Sequence, residues 1–229
     1  MTPDRISFRK EGLSFLMNSP FSVKEYLFEV VKSSIYFSDD QELERTIDIL
    51  FNVWKNSGTI FTMGCGGSAS TATHFAADLA KTTIVEGKKR FRAISLVDNI
   101  PLVSAWTNDN GWGTVFAEQL EPWIGKNDAL VGFSVHGGSG SGSAGPWSQN
   151  LVQAMKLAKS RGAKIIGFSG FDGGAMKQMA DACLVVPSSS EIYGTPLIEG
   201  FHVILHHGII FSLKSLIKNY EENKKKNIT

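Results

Sequence analysis

From Gly58 onward the chain alternates two textures, and this alternation limits its fold more than any other feature. Short apolar runs that end in Gly, Ser or Asp (Thr59 to Met63, Ala93 to Val97, Ala129 to Val135, Lys164 to Phe168 and Cys183 to Val186) are separated by stretches of helical periodicity. Runs of this length, apolar on both faces, suit strands buried in a parallel sheet, and parallel neighbours need a crossover between them. Helices are expected to begin near Ser68, Pro101, Pro146 and Gly174, and a long last one near Pro196, with Thr195 as its N-cap and Pro at its first position. The pattern predicts an α/β, doubly wound sheet.

The first fifth reads differently. After an expected capping box of Ser38 and Gln41, the residues Leu43, Ile47, Leu50, Phe51 and Trp54 form a stripe along one helical face. Val23, Leu27, Val30 and Val31 repeat the pattern upstream. The chain is therefore expected to be a helical segment over 1–57 packed on one domain over 58–218. The stretch 219–229, with Lys224, Lys225 and Lys226, is expected to be a solvated polar tail.

Charge narrows the function. The 23 Lys and Arg against 22 Asp and Glu give a formal net charge of +1, too little field to hold a nucleic acid or an anionic membrane surface. Small ligands gain by exclusion. The richest apolar stretch, Phe201 to Leu213, is broken by His202, His206 and His207 short of the ~20 residues a membrane span takes, and the N-terminus lacks the core of a secretory signal. A cytoplasmic location is expected. Cys65 and Cys183, too few for a disulfide framework and without CxxC spacing, read as reduced thiols.

Two loops invite an anion. Gly64-Cys65-Gly66-Gly67-Ser68 follows a strand and opens a helix, where backbone amides and the helix dipole favour negative charge. Gly64, Gly66 and Ala69 half-fit a dinucleotide fingerprint, but the next strand ends at Asp98, beyond the spacing of ~20 residues expected of a ribose-binding acid. There is no Walker A loop either, so no nucleotide cofactor is expected. The second loop runs from Ser134 to Ser148, where Ser134, Ser139, Ser141, Ser143 and Ser148 alternate with glycines, a composition that fits either a phosphate cradle or a plain flexible connection.

Two helices each carry one carboxylate and imidazoles. His74 and Asp78 stand four apart on one face; Glu199 and His202 are three apart, with His207 near the same stripe. That is the composition of a divalent metal site or an acid/base pair, whereas a lone His in an apolar helix more often closes a core hydrogen bond. His206 reads as packing or interface, because three histidines within six positions cannot all point one way.

With these residues in view the chain resembles the sugar isomerase (SIS) domain family, and within it the phosphoheptose isomerases. The likeness covers Gly58 to about Leu216. It rests on Gly64 to Ser68, His74-Phe75-Ala76-Ala77-Asp78-Leu79, Asn108-Asp109, the Ser134 loop, Gly170-Phe171-Asp172-Gly173-Gly174 and the histidine-bearing last helix. The resemblance implies a three-layer, five-stranded, flavodoxin-like parallel sheet and a homotetramer with active sites at subunit boundaries. It implies isomerisation of sedoheptulose 7-phosphate to glycero-manno-heptose 7-phosphate through an enediol, with zinc as cofactor. Carried over by position, Cys65, Gly66, Gly67, Ser68, Asn108, Asp109, Ser134, Ser139 and Glu199 bind substrate. His74, Asp78, Glu199 and His207 hold the metal, and Asp78 and His207 move the proton. Asp78 and Glu199 stand where the family has Glu and Gln, and Cys65 replaces a usual Asn with a thiol whose pKa a helix N-terminus is expected to lower. The Ser134 loop is about eight residues longer than the family's compact form. The alternatives are a non-catalytic phosphosugar-binding regulator and an isomerase of a shorter sugar phosphate.

Overall fold

The structure, a computed structural model, describes residues 22–138, 148–190 and 192–221. Its elements in chain order are α1 (Val23–Tyr36), a 3-10 turn (Phe37–Asp39), α2 (Gln41–Lys55), β1 (Thr59–Gly64), α3 (Gly67–Lys81), β2 (Arg92–Ser95), α4 (Ile100–Asn110) and α5 (Val115–Leu120). Then follow β3 (Ala129–Phe133), α6 (Gln149–Ser160), β4 (Lys164–Gly170), α7 (Gly174–Met179), β5 (Ala182–Val186) and α8 (Gly194–Asn219). The five strands form one parallel sheet in the order β2-β1-β3-β4-β5, as expected. β1 and β3 are neighbours although β2 lies between them in the chain, so the crossovers leave in opposite directions from this pair. Ligands of doubly wound sheets bind at the carboxyl ends of such strands.

Side-chain alternation along the strands divides the core in two. Ile60, Val131, Phe133, Ile166 and Phe168 face α2, α3 and α8, meeting Leu50, Trp54, Phe75, Leu79, Phe201 and Ile209. Phe61, Met63, Leu130 and Ile165 face the opposite layer, against Phe116, Leu151, Met155 and Met176. Burial on both sides explains why the strands read as continuous apolar runs.

Several expectations are corrected locally. α2 is capped by Asp40, whose carboxylate accepts from Glu42 N at 2.7 Å; Ser38 lies in the 3-10 turn and donates back to Ile35 O instead. The capping box is one helix earlier, between Ser22 and Glu25. α8 starts at Gly194 with Tyr193 in the N-cap position, so Thr195 and Pro196 already lie inside its first turn. β2 starts one residue before its apolar run and ends two before the run does, and the short helix α5, with Phe116 and Leu120 buried, had no periodic signal long enough to be read. Pro146 lies outside the described residues.

On α1 the stripe Val23, Leu27 and Val31 is more than half exposed, and Phe28 and Ile35 extend the apolar surface. At the other end Tyr220 packs its ring on Phe51 and Trp54, so Tyr220, expected in the tail, belongs to the packed domain. α8 is long and apolar enough by composition to cross a membrane, yet Leu197, Ile198, Phe201, Ile209, Ile210 and Leu213 are taken up by the core.

Candidate active site

The first anion loop is built by a tight exit from β1. Gly66 has φ 60° and ψ −129°, a conformation that side chains disfavour, and it leaves the start of α3 without a side-chain cap. The second loop is held from below. Ser134 N donates to Phe168 O at 3.0 Å, and Met176 N donates to Gly137 O at 2.9 Å. Gly137 has φ 70°, and a Cβ there would stand 1.9 Å from Gly173 O, so the Ser134 loop and the Gly170 to Gly174 turn interlock only with glycine at this point. His136 stacks on Phe171 over the same junction, ring centres 4.8 Å apart. Ser139 and the rest of the loop through 147 lie outside the described residues.

α3 and α8 lie side by side and run the same way, with partners matched at a constant offset. At the loop end, the Glu199 carboxylate occupies the space beside Gly67, where a Cβ would lie 2.6 Å from Oε2. One residue pair further down, His206 packs on His74. At the far end Lys214 Nζ donates to Thr82 O at 2.9 Å, a cation on the carbonyl end of α3. Seven residues of helix separate the Glu199 level from the His206 level, about 10 Å of rise.

At that middle level three imidazoles converge on one carboxylate oxygen. Asp78 Oδ2 lies 3.4 Å from His74 Nε2, 3.4 Å from His206 Nε2 and 3.6 Å from His207 Nε2. Its other oxygen accepts from Thr82 Oγ1 at 2.8 Å, which fixes the carboxylate. The four donors lie within 4.8 Å of one another. His74 and His207 are about half exposed and open the cluster to solvent, next to a groove of about 450 Å³ lined by Ala69, Ser70, Thr73, His74, Ala77 and Val97. His206 is fully buried, and neither of its ring nitrogens has a hydrogen-bond partner, the Asp78 approach lacking the geometry of one. Burial first, then the imidazoles of His207 and His74, push its pKa down to about 4 against the pull of Asp78, so at neutral pH it is an uncharged donor of a nitrogen lone pair. Three imidazoles, one of them buried, and one carboxylate fit a divalent cation.

The expected set is thus partly regrouped. His74, Asp78 and His207 come together, while within the chain the Glu199 carboxylate stands beside Gly67, about 12 Å of helix rise from the level of His207. His206, expected to be packing, faces the cluster, while His202 turns into the core, where its Nε2 lies 3.1 Å from Ser169 O. Its spacing was the available signal: 202 and 206 share a face, and 207 flanks them.

Asn108 and Asp109 hydrogen bond to each other at the exposed end of α4, 2.7 Å apart, and no described hydrogen bond joins them to either loop. Ser68 is buried at the first turn of α3. Cys65 corrects its expectation: burial raises its pKa, and a hydrogen bond from Asn150 Nδ2 at 3.3 Å offsets only part of that. Asn150, fully buried at the start of α6, had no sequence signal and ties the first loop to the helix after the second.

Anion loops at a sheet switch point and a carboxylate ringed by imidazoles define a doubly wound α/β protein equipped for a small charged ligand. Residues 26–170 match the SIS domain, and the chain belongs to that family. It is 37% identical over 186 residues to the phosphoheptose isomerase of Helicobacter pylori strain P12, covering 80% of this chain and 89% of that one. It is 50% identical over 161 residues to the lincomycin biosynthesis protein LmbN of Streptomyces lincolnensis, covering 70% of this chain but only 58% of that longer protein. The structure of phosphoheptose isomerase from Neisseria gonorrhoeae superposes with a TM-score of 0.71 at 26% identity, covering 84% of this chain and 94% of that one.

Proposed function

We propose that the chain is an aldose–ketose isomerase that converts sedoheptulose 7-phosphate to glycero-manno-heptose 7-phosphate, for heptose biosynthesis. The observation that carries this reading is the spacing along the α3–α8 pair. A proton-carrying cluster lies about 10 Å of helix rise from the anion-binding mouth, and seven carbons with bonds near 1.5 Å plus an ester span roughly the same length. The phosphate sits among the amides of Gly66 and Gly67 and at Ser134, and Glu199 borders the sugar. Anchoring one end orients the carbonyl end at the cluster. Asp78 and His207 remove the proton beside the carbonyl and return it one carbon along, the enediol being the intermediate. His74, Asp78, His206 and His207 are the groups available to hold a zinc ion, which when bound would supply positive charge beside the developing oxyanion.

The exposed apolar surface of α1 supports assembly with further copies of this chain, and a homotetramer is the state expected by likeness. A doubly charged sugar phosphate does not cross a bilayer unaided, which favours a cytoplasmic enzyme. The 50% identity to a lincomycin biosynthesis protein favours a second reading, in which the same chemistry acts on another sugar phosphate for an antibiotic-type product. Incubation with sedoheptulose 7-phosphate in heavy water, with and without chelator, tests the first: turnover with deuterium entering beside the carbonyl is expected. Thermal protection by the sugar without exchange would instead mark a binding protein, and turnover of five- or six-carbon ketose phosphates in preference to the heptulose would support another substrate.

A further inference from the structure

We infer that Phe171 is a positioning residue, whose ring ties the second anion loop to the start of α8 and so holds a bound phosphate in register with the side chains that α8 carries. The identity of the substrate rests on the isomerase reading; the coupling rests on contacts within the chain.

Phe171 has φ 51°, in the left-handed region that side chains other than Asn and Asp seldom enter. A backbone of this kind persists only where its surroundings fix it. Here both flanks do. Gly170 N donates to Val135 O at 3.0 Å, and a Cβ at Gly170 would stand 2.3 Å from Ile198 Cδ1 of α8. On the other flank Gly173 N donates to Gly170 O at 2.9 Å, and Asp172 Oδ1 accepts from Gly174 N at 3.1 Å.

The conformation brings the ring to two neighbours. It stacks on His136, with ring centres 4.8 Å apart and planes 11° from parallel. Its far edge reaches Gly194, the first residue of α8, where a Cβ would stand 2.8 Å from Cζ. The ring is thus a spacer between the loop that takes the phosphate and the helix that presents Glu199, His206 and His207. The loop does not need this spacer for its own shape, because the bonds of Ser134 N to Phe168 O and of Met176 N to Gly137 O already hold it. Removing the ring therefore loosens loop from helix while the anion-binding amides stay in place. For a substrate anchored at one end and transformed at the other, that relation decides alignment.

The test follows hydrogen exchange of the full chain with inorganic phosphate as the probe. In the wild type, saturating phosphate is expected to slow exchange both over 134–138 and over 194–201. In Phe171→Asn, which removes the ring and suits a left-handed backbone, protection of the loop is expected to remain while protection of the helix start falls roughly threefold or more. His136→Ala should do the same, and His136→Phe, which keeps a flat ring on Phe171, should restore the coupling. Phosphate that leaves 194–201 unprotected in the wild type, or protects it equally in Phe171→Asn, overturns the proposal. So does equal loss at loop and helix, which would make the ring a support of the loop alone. In turnover, Phe171→Asn is expected to hold the inhibition constant of inorganic phosphate within about twofold while kcat on sedoheptulose 7-phosphate falls about tenfold, the mark of misalignment rather than lost binding; an unchanged kcat overturns the positioning role. A wild type without turnover removes the isomerase reading and leaves the exchange experiment to decide the coupling. If Phe171→Asn does not fold, His136→Ala, at an exposed position, carries the comparison.

Discussion

One turn of α8 separates two buried histidines with opposite fates. His202 is wedged against the rings of Phe133 and Phe168, and its Nε2 meets the Ser169 carbonyl. His206 is equally inaccessible, but its ring stands among His74, His207 and Asp78, with no partner closer than the Asp78 carboxylate at 3.4 Å. Burial therefore does not distinguish a structural imidazole from one poised for a ligand; the partners do. The same helix thus closes the core along one face and turns His206 and His207 toward Asp78 along another.

The sharpest way to break this comparison is by turnover. Asp78→Asn and His207→Gln are each expected to cut kcat on sedoheptulose 7-phosphate by roughly 10² or more, the scale of positioned acid/base groups. His202→Gln, which keeps a donor toward Ser169 O, is expected to stay within a few-fold of wild type. Near wild-type kcat in both cluster variants would remove Asp78 and His207 from the chemistry.

Stability should divide the two histidines the other way. His202→Leu strands the Ser169 carbonyl in the core and is expected to cost about 1–3 kcal/mol, a fall in Tm of roughly 3–10 °C for a chain of this size. The metal-free form of His206→Leu strands nothing. Equal losses in the two variants would mean that His206 makes a structural bond after all.

How much of this was legible beforehand follows from the range of each signal. The parallel strands come from apolar runs and crossovers, which are local and repeated, so all five were placed to within a few residues, while their flavodoxin-like order was implied only by the family resemblance. Helix ends were misread where a competing bond decided them: Ser38 was read as a cap, yet the 3-10 turn lets its hydroxyl reach Ile35 O, and Asp40 caps instead. At the site, the pair His74 and Asp78 was visible because four residues of one helix always share a face. Glu199 and His207 share a stripe by spacing, but spacing around a helix says nothing about rise along it, and within the chain the Glu199 carboxylate stands beside Gly67. His206 was missed because its role depends on α3 running beside α8, a long-range fact, and Asn150 on a loop closure that no local pattern reports.

Acid acts on both buried histidines, His206 being lowered to about 4 as well, and His202 gives the cleaner reading because only burial and a backbone carbonyl shift it. Its ordinary pKa of 6.5 is lowered to about 4 in the folded chain, by burial first, with the Ser169 bond opposing. The unfolded chain thus takes up a proton below pH 6.5 that the folded chain refuses until about pH 4. This contribution is whole above pH 6.5 and is lost as pH falls through that window, with a slope of up to about 1.4 kcal/mol per pH unit. Melts of wild type and His202→Gln between pH 4 and 7 check it: the variant, having no titrating ring there, should show the shallower decline.

The smallest effect concerns Cys65, where partner and burial again pull apart. The thiol stands at the amide end of α3, which favours thiolate, and Asn150 donates to its sulfur; yet burial prevails and raises its pKa. Cys183 is pushed further, to about 12, by burial and by the Glu42 carboxylate. Near neutral pH both should alkylate more slowly than a free thiol, with Cys65 modestly ahead of Cys183, as peptide-resolved labelling rates would read. Asn150→Ala removes the one neighbour that lowers the Cys65 pKa, and should slow its labelling slightly further. If Cys65 instead outpaced a free thiol, the helix terminus would outweigh burial at this loop, and the same terminus would then be a stronger anion holder than the partner pattern around it implies.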